Sequence, residues 1–338
     1  MPDSLPLYSA DDWQTQLREV ITSPQQLLEL LGLRADQVDY SESASAQFAL
    51  KVPVAFARRM EKGNPRDPLL LQVLASTAET RQVPGYGSDP VGETGTANPQ
   101  KGIIHKYRGR ALLIVASGCA INCRYCFRRH FPYNDNQNSR QQWRDTLQYI
   151  RDDTSIEEVI LSGGDPLIAN DRLLQELVNE LGSFTHLRRL RIHSRLPVVL
   201  PDRVTPDLLD AITHNALQTV MVIHSNHANE IDQHVAAAIN VMRQRDITVL
   251  NQSVLLKDIN DNVQALSDLS ENLFAAGALP YYLHLLDKVA GAAHFDTAEQ
   301  RARQLMGEVA AVLPGYLVPR LVREDAGASA KTGMEFLY

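Results

Sequence analysis

Cys119, Cys123 and Cys126 are the only cysteines in the chain, and they stand together in a Cys-x3-Cys-x2-Cys segment. An odd number of thiols packed into one short stretch cannot build a disulfide framework; it suits a reducing compartment and points to metal or cluster ligation. A four-iron cluster ordinarily takes four thiolates, so three with no fourth leave one iron open to an external ligand. Zinc would want a fourth ligand, which His130 could supply, and three buried structural thiols are the plainer alternative. The segment follows an apolar run at 111–116 directly, which places it on the loop after a strand, where parallel α/β folds carry their active sites.

Other polar groups recur at the same place in the pattern. Ser162-Gly163-Gly164-Asp165 follows the run at 158–161, and its glycines allow close backbone approach to a ligand or simply a tight turn. His193-Ser194-Arg195, His224-Ser225-Asn226-His227 and Asn251-Gln252-Ser253 close the next three runs. The elements that must position these groups are six runs rich in Val, Ile and Leu, at 111–116, 158–161, 187–193, 218–224, 248–252 and 279–285. They alternate with amphipathic stretches near 139–152, 171–182, 205–214, 229–245, 262–276 and 297–312. Six strand–helix units in strict alternation predict a parallel α/β fold, either a flat doubly wound sheet or an incomplete barrel. Ahead of them, residues 1 to 75 read as mainly helical. Ser23-Pro24-Gln25-Gln26 there is a cap, a first-turn proline and a capping-box glutamine opening a helix over 24–31. Residues 80–102 are rich in Pro, Gly and Ser and read as a long connection.

The 33 basic and 40 acidic residues of the 338 give a formal charge of -7, without the broad basic field that nucleic-acid binding needs. No apolar run approaches the roughly 20 residues needed to span a bilayer, and the polar start Met1-Pro2-Asp3-Ser4 lacks a secretory signal. The expectation is a cytoplasmic protein with no nucleic-acid or membrane partner.

The cysteine segment resembles the signature of radical S-adenosylmethionine enzymes. That resemblance implies a [4Fe-4S] cluster on Cys119, Cys123 and Cys126, with S-adenosyl-L-methionine on the open iron and an electron donor such as flavodoxin or ferredoxin. It also implies a partial (β/α)6 barrel, which chooses between the two folds above. The expected organisation is an N-terminal helical extension and connection over 1–102, a barrel over 103–315 and a short C-terminal segment over 316–338. Ser162, Gly163, Gly164 and Asp165 resemble the glycine-rich nucleotide contact of these enzymes, and His224 and Gln252 are candidates for further nucleotide contacts.

Within that superfamily, His105-Lys106-Tyr107-Arg108-Gly109-Arg110, Cys126-Phe127-Arg128-Arg129, Asn251-Gln252-Ser253-Val254-Leu255-Leu256 and Pro280-Tyr281-Tyr282 resemble lysine 2,3-aminomutases, a similarity covering nearly all of 62–332. Carried over by position, Lys331 matches the lysine that forms a Schiff base with pyridoxal 5'-phosphate. Lys106, Tyr107 and Arg110 match positions around the cofactor phosphate, where cations and a hydroxyl suit a dianion. Arg128 matches the arginine that holds the substrate carboxylate; balancing an anionic cluster is its plainer role, one that Arg124 and Arg129 could share. Asp287 matches one carboxylate for the distal ammonium of lysine, and the second falls on Glu324 or, after a small shift, on Asp325.

The family's free-lysine enzymes carry further C-terminal cysteines that bind zinc, and this chain has none beyond Cys126. The string around Ala290-Gly291-Ala292-Ala293-His294-Phe295 resembles the group that makes (R)-β-lysine for a separate ligase acting on elongation factor P. The expected activity is therefore L-lysine to (R)-β-lysine. Action on another amino acid, or a non-enzymatic iron–sulfur electron carrier or scaffold, are the alternatives.

Overall fold

The structure is a computed structural model describing residues 13–133 and 140–337; the expected polar start and residue 139 lie outside them. Nine strands form one sheet in chain order: β1 Ile103–Tyr107, β2 Arg110–Ala116, β3 Glu158–Gly163, β4 Arg189–Ser194, β5 Gln218–His224, β6 Thr248–Val254, β7 Leu279–His284, β8 Arg320–Arg323 and β9 Thr332–Gly333. β2 to β8 run parallel, while β1 and β9 pair antiparallel at the two edges. β2 to β7 are the six runs expected from the sequence. The connecting helices are Arg140–Asp152, Asp171–Gly182, Pro206–Thr213, Gln233–Arg243, Val263–Ala276 and Glu299–Val312.

Local chemistry sets the helix ends. Asn170, Thr205 and Asn262 each accept a backbone N–H of their own first turn, at 2.8, 3.1 and 2.9 Å, and Gly277 stops the fifth helix at φ +97°. The helix Asp171–Gly182 buries Leu174, Leu177, Val178 and Leu181, an i, i+3, i+4, i+7 stripe facing the sheet. Each such side chain contributes about 1.5–3 kcal/mol on burial.

The sheet is curled. Laid flat, nine strands at about 4.8 Å spacing would span roughly 38 Å. Instead Leu112, Ile160, His193, Val220, Leu250 and Tyr282, one from each of β2 to β7, border a single cavity of about 460 Å³. Alternate residues of six strands can share one cavity only if the sheet wraps around it, so the fold is an incomplete barrel with helices outside.

The N-terminal segment packs on that barrel. Ser23 Oγ accepts Gln26 N–H at 3.3 Å and donates to Gln25 Oε1 at 3.1 Å, opening the helix Pro24–Leu31, which ends at Gly32 with φ +66°. Phe56, Leu69 and Leu70 belong to the same apolar core as the sheet, and Arg59 donates to Glu230 O at 2.5 Å and Val198 O at 2.6 Å. Residues 80–102 are stitched to the loop after β7: Gly87 N–H reaches Lys288 O at 2.9 Å, and Ala290 N–H reaches Gly87 O at 2.8 Å. No helix among the described residues is long and apolar enough to cross a membrane.

Candidate active site

The cysteine loop leaves β2 and is clamped by the N-terminal segment. Lys51 Nζ donates to Cys119 O at 2.6 Å, Asn122 N–H to Lys51 O at 2.9 Å, and Arg124 N–H to Gln72 O at 2.8 Å. Arg124 is fully buried, and its guanidinium grips Glu79 at 2.8 and 2.5 Å; Arg129 reaches the same carboxylate at 3.1 Å. Both arginines thus share the one carboxylate of Glu79. His130 Nε2 meets Ala290 O at 3.2 Å. Among the described residues no three His, Cys, Asp or Glu side chains stand close enough to hold a single metal ion, as the zinc alternative requires. Cluster ligands sit at separate corners of a larger body. The thiols nonetheless converge: burial and then the neighbouring Cys126 push the Cys119 thiol up, and burial and then Cys123 push the Cys126 thiol to about 11. Three partly exposed thiols close together, with Arg195 donating to the Cys123 sulfur, form a donor set that, once deprotonated by ligation, suits a polynuclear iron cation.

The glycines after β3 serve that loop. Gly163 has φ +123°, and a Cβ there would lie 2.4 Å from Ala116 O; a Cβ on Gly164 would lie 2.2 Å from Gly118 O. Both are needed for two backbones to touch beneath the cysteines. Ser162 lines the cavity. Asp165, expected at the nucleotide, is instead buried and turned into the protein. It accepts Ser194 Oγ at 2.7 Å and the N–H groups of Arg195 and Leu167 at 2.8 and 3.1 Å. It thereby holds Arg195, which reaches Gln72 at 2.7 Å and Glu230 at 3.0 Å besides Cys123.

Inside the cavity, Gln252 Nε2 donates to His224 Nε2 at 3.0 Å, and the His193 ring stands edge-on to His224 at 5.8 Å. Burial, then the charge of Arg195, drops the His224 pKa to about 3; burial likewise lowers His193 and His284, so all three imidazoles are neutral. Five buried polar atoms on the cavity wall lack a hydrogen bond: Tyr107 Oη, Arg191 Nε, His193 Nε2, Gln252 Oε1 and His284 Nε2. Each unsatisfied group costs about 1–3 kcal/mol, which marks the cavity as a polar binding site rather than a packing defect.

The charges of the cavity form an ordered row. Arg128 donates to both oxygens of Glu93 at 2.6 and 2.8 Å; Lys106 lies 3.5 Å from Glu93 and 2.7 Å from Glu324; Lys331 lies 2.8 Å from the other oxygen of Glu324. Burial opposes ionisation of Glu324, but Lys331 and Lys106 outweigh it and hold its pKa at about 2. Asp287 is pushed up to about 7 by burial, then by Glu324. Arg110 stacks over the Tyr107 ring at 4.4 Å and makes no ion pair among the described residues; the Tyr107 hydroxyl lies beside Glu324 without a well-aligned hydrogen bond. Asp325 departs from the expected set. Its carboxylate takes Arg323 at 2.7 Å and Thr332 Oγ1 at 2.6 Å, outside the cavity, so of the two acids it is Glu324 that faces Lys331.

Lys106, Tyr107, Arg110, Arg128, Ser162, His224, Gln252, Asp287, Glu324 and Lys331 therefore meet on one cavity, while Cys119, Cys123, Cys126, Gly163, Gly164, Asp165 and Asp325 do not line it. Glu93, His193, Arg191 and His284 join it. Glu93 was hidden in the turn-rich connection, where only the Asp89–Glu93 spacing of a capped loop marked it.

An incomplete parallel barrel with a three-cysteine loop after its first parallel strand defines a radical S-adenosylmethionine enzyme, and residues 113–269 match the radical SAM superfamily. The chain is 50% identical over 328 residues to the L-lysine 2,3-aminomutase of Escherichia coli (strain K12), covering 97% of this chain and 95% of that protein. It is 48% identical over 332 residues to the L-lysine 2,3-aminomutase of Haemophilus influenzae, covering 98% of each. That of Clostridium subterminale is 28% identical over 323 residues, or 95% of this chain and 77% of that protein. The chain belongs to the L-lysine 2,3-aminomutase family, a family of isomerases of the radical SAM superfamily.

Proposed function

We propose that this chain moves the α-amino group of L-lysine to the β carbon, using pyridoxal 5'-phosphate beside the cluster and S-adenosylmethionine. The observation that carries this reading is one cavity bordered by Ser162 at the end of β3, by Lys331, and by Arg128 and Asp287 with Glu324. The cluster and S-adenosylmethionine would supply a hydrogen-abstracting radical, and pyridoxal phosphate would stabilise unpaired electron density next to the migrating nitrogen.

The protein's own residues bind and orient. Lys106 and Arg110, with the Tyr107 hydroxyl, would hold a phosphate; the unpaired hydroxyl and a guanidinium with no ion pair among the described residues fit a dianion. Lys331 would hold the pyridoxal aldehyde. Arg128 would receive the α-carboxylate, and Asp287 with Glu324 the distal ammonium, so lysine is fixed at both ends. Neutral His193, His224 and His284 place hydrogen-bonding groups in the cavity without adding charge. A distal carboxylate, as in glutamate, would meet two acids and be repelled, which favours a cationic side chain.

The resemblance to the elongation factor P group further supports a role in supplying (R)-β-lysine to a ligase in the cytoplasm, with a flavodoxin or ferredoxin as reductant. The test is anaerobic incubation of reduced enzyme with L-lysine, S-adenosylmethionine and pyridoxal phosphate, followed by chiral chromatography. (R)-β-lysine is expected; its absence from cluster-loaded protein refutes the reading.

A further inference from the structure

We infer that Glu93 is a positioning residue, the one that fixes the Arg128 guanidinium in the orientation that receives the substrate carboxylate; the inference rests on the function proposed above. Arg128 is buried, 9% exposed, and a guanidinium out of water needs an anion. Glu93, 5% exposed, is that anion, and it closes one edge of the fork with a two-bond contact through Nε and Nη2. Nη1 donates to Ser162 Oγ at 3.0 Å and Gly163 O at 3.3 Å. Of the five N–H groups of an arginine, four are thereby directed, and the guanidinium cannot turn without breaking the Glu93 pair. A carboxylate entering the cavity then meets the one N–H left, on Nη2, in a fixed orientation.

Glu93 is itself built in. Asp89 accepts its N–H at 2.8 Å and the N–H of Thr94 at 2.9 Å, and Gly92, at φ +67°, brings the loop to where a Cβ would touch Ala326. Val91 beside it is buried, and Gly87 is tied to Lys288 and Ala290. A loop anchored at these points does not withdraw to let a substrate carboxylate take its place on the fork, so Glu93 acts as a fixed brace and not as a competitor. Its second neighbour, Lys106 at 3.5 Å, continues the alternating row to Glu324 and Lys331, so one acid sits between the two positively charged ends of the cavity.

The test compares wild-type holoenzyme with Glu93→Ala, Glu93→Gln and Glu93→Asp in lysine turnover, and measures competitive inhibition by 1,5-diaminopentane, which has the two amines of lysine without its carboxylate. Glu93→Ala should raise the KM for lysine at least tenfold with a smaller change in kcat. Glu93→Gln, which accepts one guanidinium N–H instead of two, should fall between, and Glu93→Asp should recover part of the loss. Iron content, pyridoxal content and diaminopentane inhibition should stay at wild-type values. A lysine KM within twofold of wild type or below it in Glu93→Ala and Glu93→Gln overturns the inference. So does a parallel loss of diaminopentane inhibition or of iron, which would mark a merely structural role. Absence of β-lysine from the wild type would instead sink the proposed function.

Discussion

Asp287 supplies the sharpest test of how the cavity reads a cationic side chain. Burial and the neighbouring Glu324 raise its pKa from 3.8 to about 7, although Lys331 and Lys106 pull the other way. At about 1.36 kcal/mol per pK unit, that shift of roughly 3 units corresponds to about 4 kcal/mol favouring the neutral acid. A carboxylate with a raised pKa loses its charge as pH falls through that value: one unit below 7 about a tenth of the sites carry the charge that attracts an ammonium, and two units below about a hundredth. The lysine ammonium, ordinarily near 10.4, does not change over this range. With Lys331 engaged by pyridoxal its lowering effect is lost, so kcat/KM for lysine should fall about tenfold per pH unit below a break no lower than about pH 7. In the bound complex the ammonium stabilises the carboxylate, so the corresponding limb in kcat should lie at lower pH. Norleucine, which keeps the α groups and lacks the ammonium, provides the control as a competitive inhibitor whose Ki should not follow this limb. Asp287→Asn should abolish the limb and leave the KM for lysine high at every pH. Initial rates from pH 5.5 to 8.5 decide the matter. A lysine-to-norleucine ratio independent of pH in the wild type, or a limb that survives in Asp287→Asn, refutes the reasoning.

Two further substitutions separate the cysteine loop from the cavity. Gly164→Ala would put a methyl group 2.2 Å from Gly118 O, a backbone atom that cannot move without the cysteine loop, at a cost of about 1–3 kcal/mol or more. Iron bound per chain should drop well below wild type while far-ultraviolet circular dichroism is kept; wild-type iron content would show that the loops are not coupled. Lys331→Ala should lose the visible absorbance of bound pyridoxal and all lysine turnover while retaining its iron, and persistence of that absorbance would show that another group holds the cofactor.

The sequence made the barrel legible because its strands keep apolar residues at least at every second position: Val159, Leu161, Leu190 and Ile192 are all fully buried, even where Arg191 and His193 between them turn to the cavity. The strands it concealed are those whose composition answers to the site or the edge. β1 ends in His105-Lys106-Tyr107, where Lys106 and Tyr107 border the cavity; β8 has arginine at both ends; β9 is two residues, Thr332 and Gly333, paired in register with Arg323 and Val322. The cysteines were legible from spacing alone, since ligation demands a residue type as well as a distance. Glu324 and Asp325 were not separable, because adjacent acids differ only in which way a loop turns, and here Arg323 and Thr332 draw Asp325 outward. Asp165 sat at the right place in the pattern for a ligand contact, yet the orphan N–H groups of the next loop claim its oxygens. Glu93 was missed because the loop that carries it is held by an Asp89 cap and a strap to Lys288, and turn chemistry of that kind has no periodicity to read.

Burial raises both Glu324 and Asp287, and their opposite net shifts follow from the charges beside each of them. Glu324 is ionised because Lys331 and Lys106 both contact it, at 2.8 and 2.7 Å; Asp287 is raised first by burial and then by the negative charge of Glu324, so that its pKa lies near 7. On the proposed reading both lysines have other work, Lys331 at the pyridoxal aldehyde and Lys106 at the phosphate. Neither could then neutralise Glu324 fully, and a buried carboxylate stripped of its partners is costly. A substrate ammonium arriving between Glu324 and Asp287 supplies the missing positive charge and draws the proton from Asp287, so the cavity gains most from a lysine side chain when both of its own lysines are occupied. The order of events that this charge balance favours is cofactor first and lysine second, and it makes affinity for lysine depend on prior loading with pyridoxal phosphate. Equilibrium binding of lysine to cluster-loaded protein, with and without pyridoxal phosphate, measures that dependence; equal affinity in the two cases would show that Glu324 is not the group the substrate relieves.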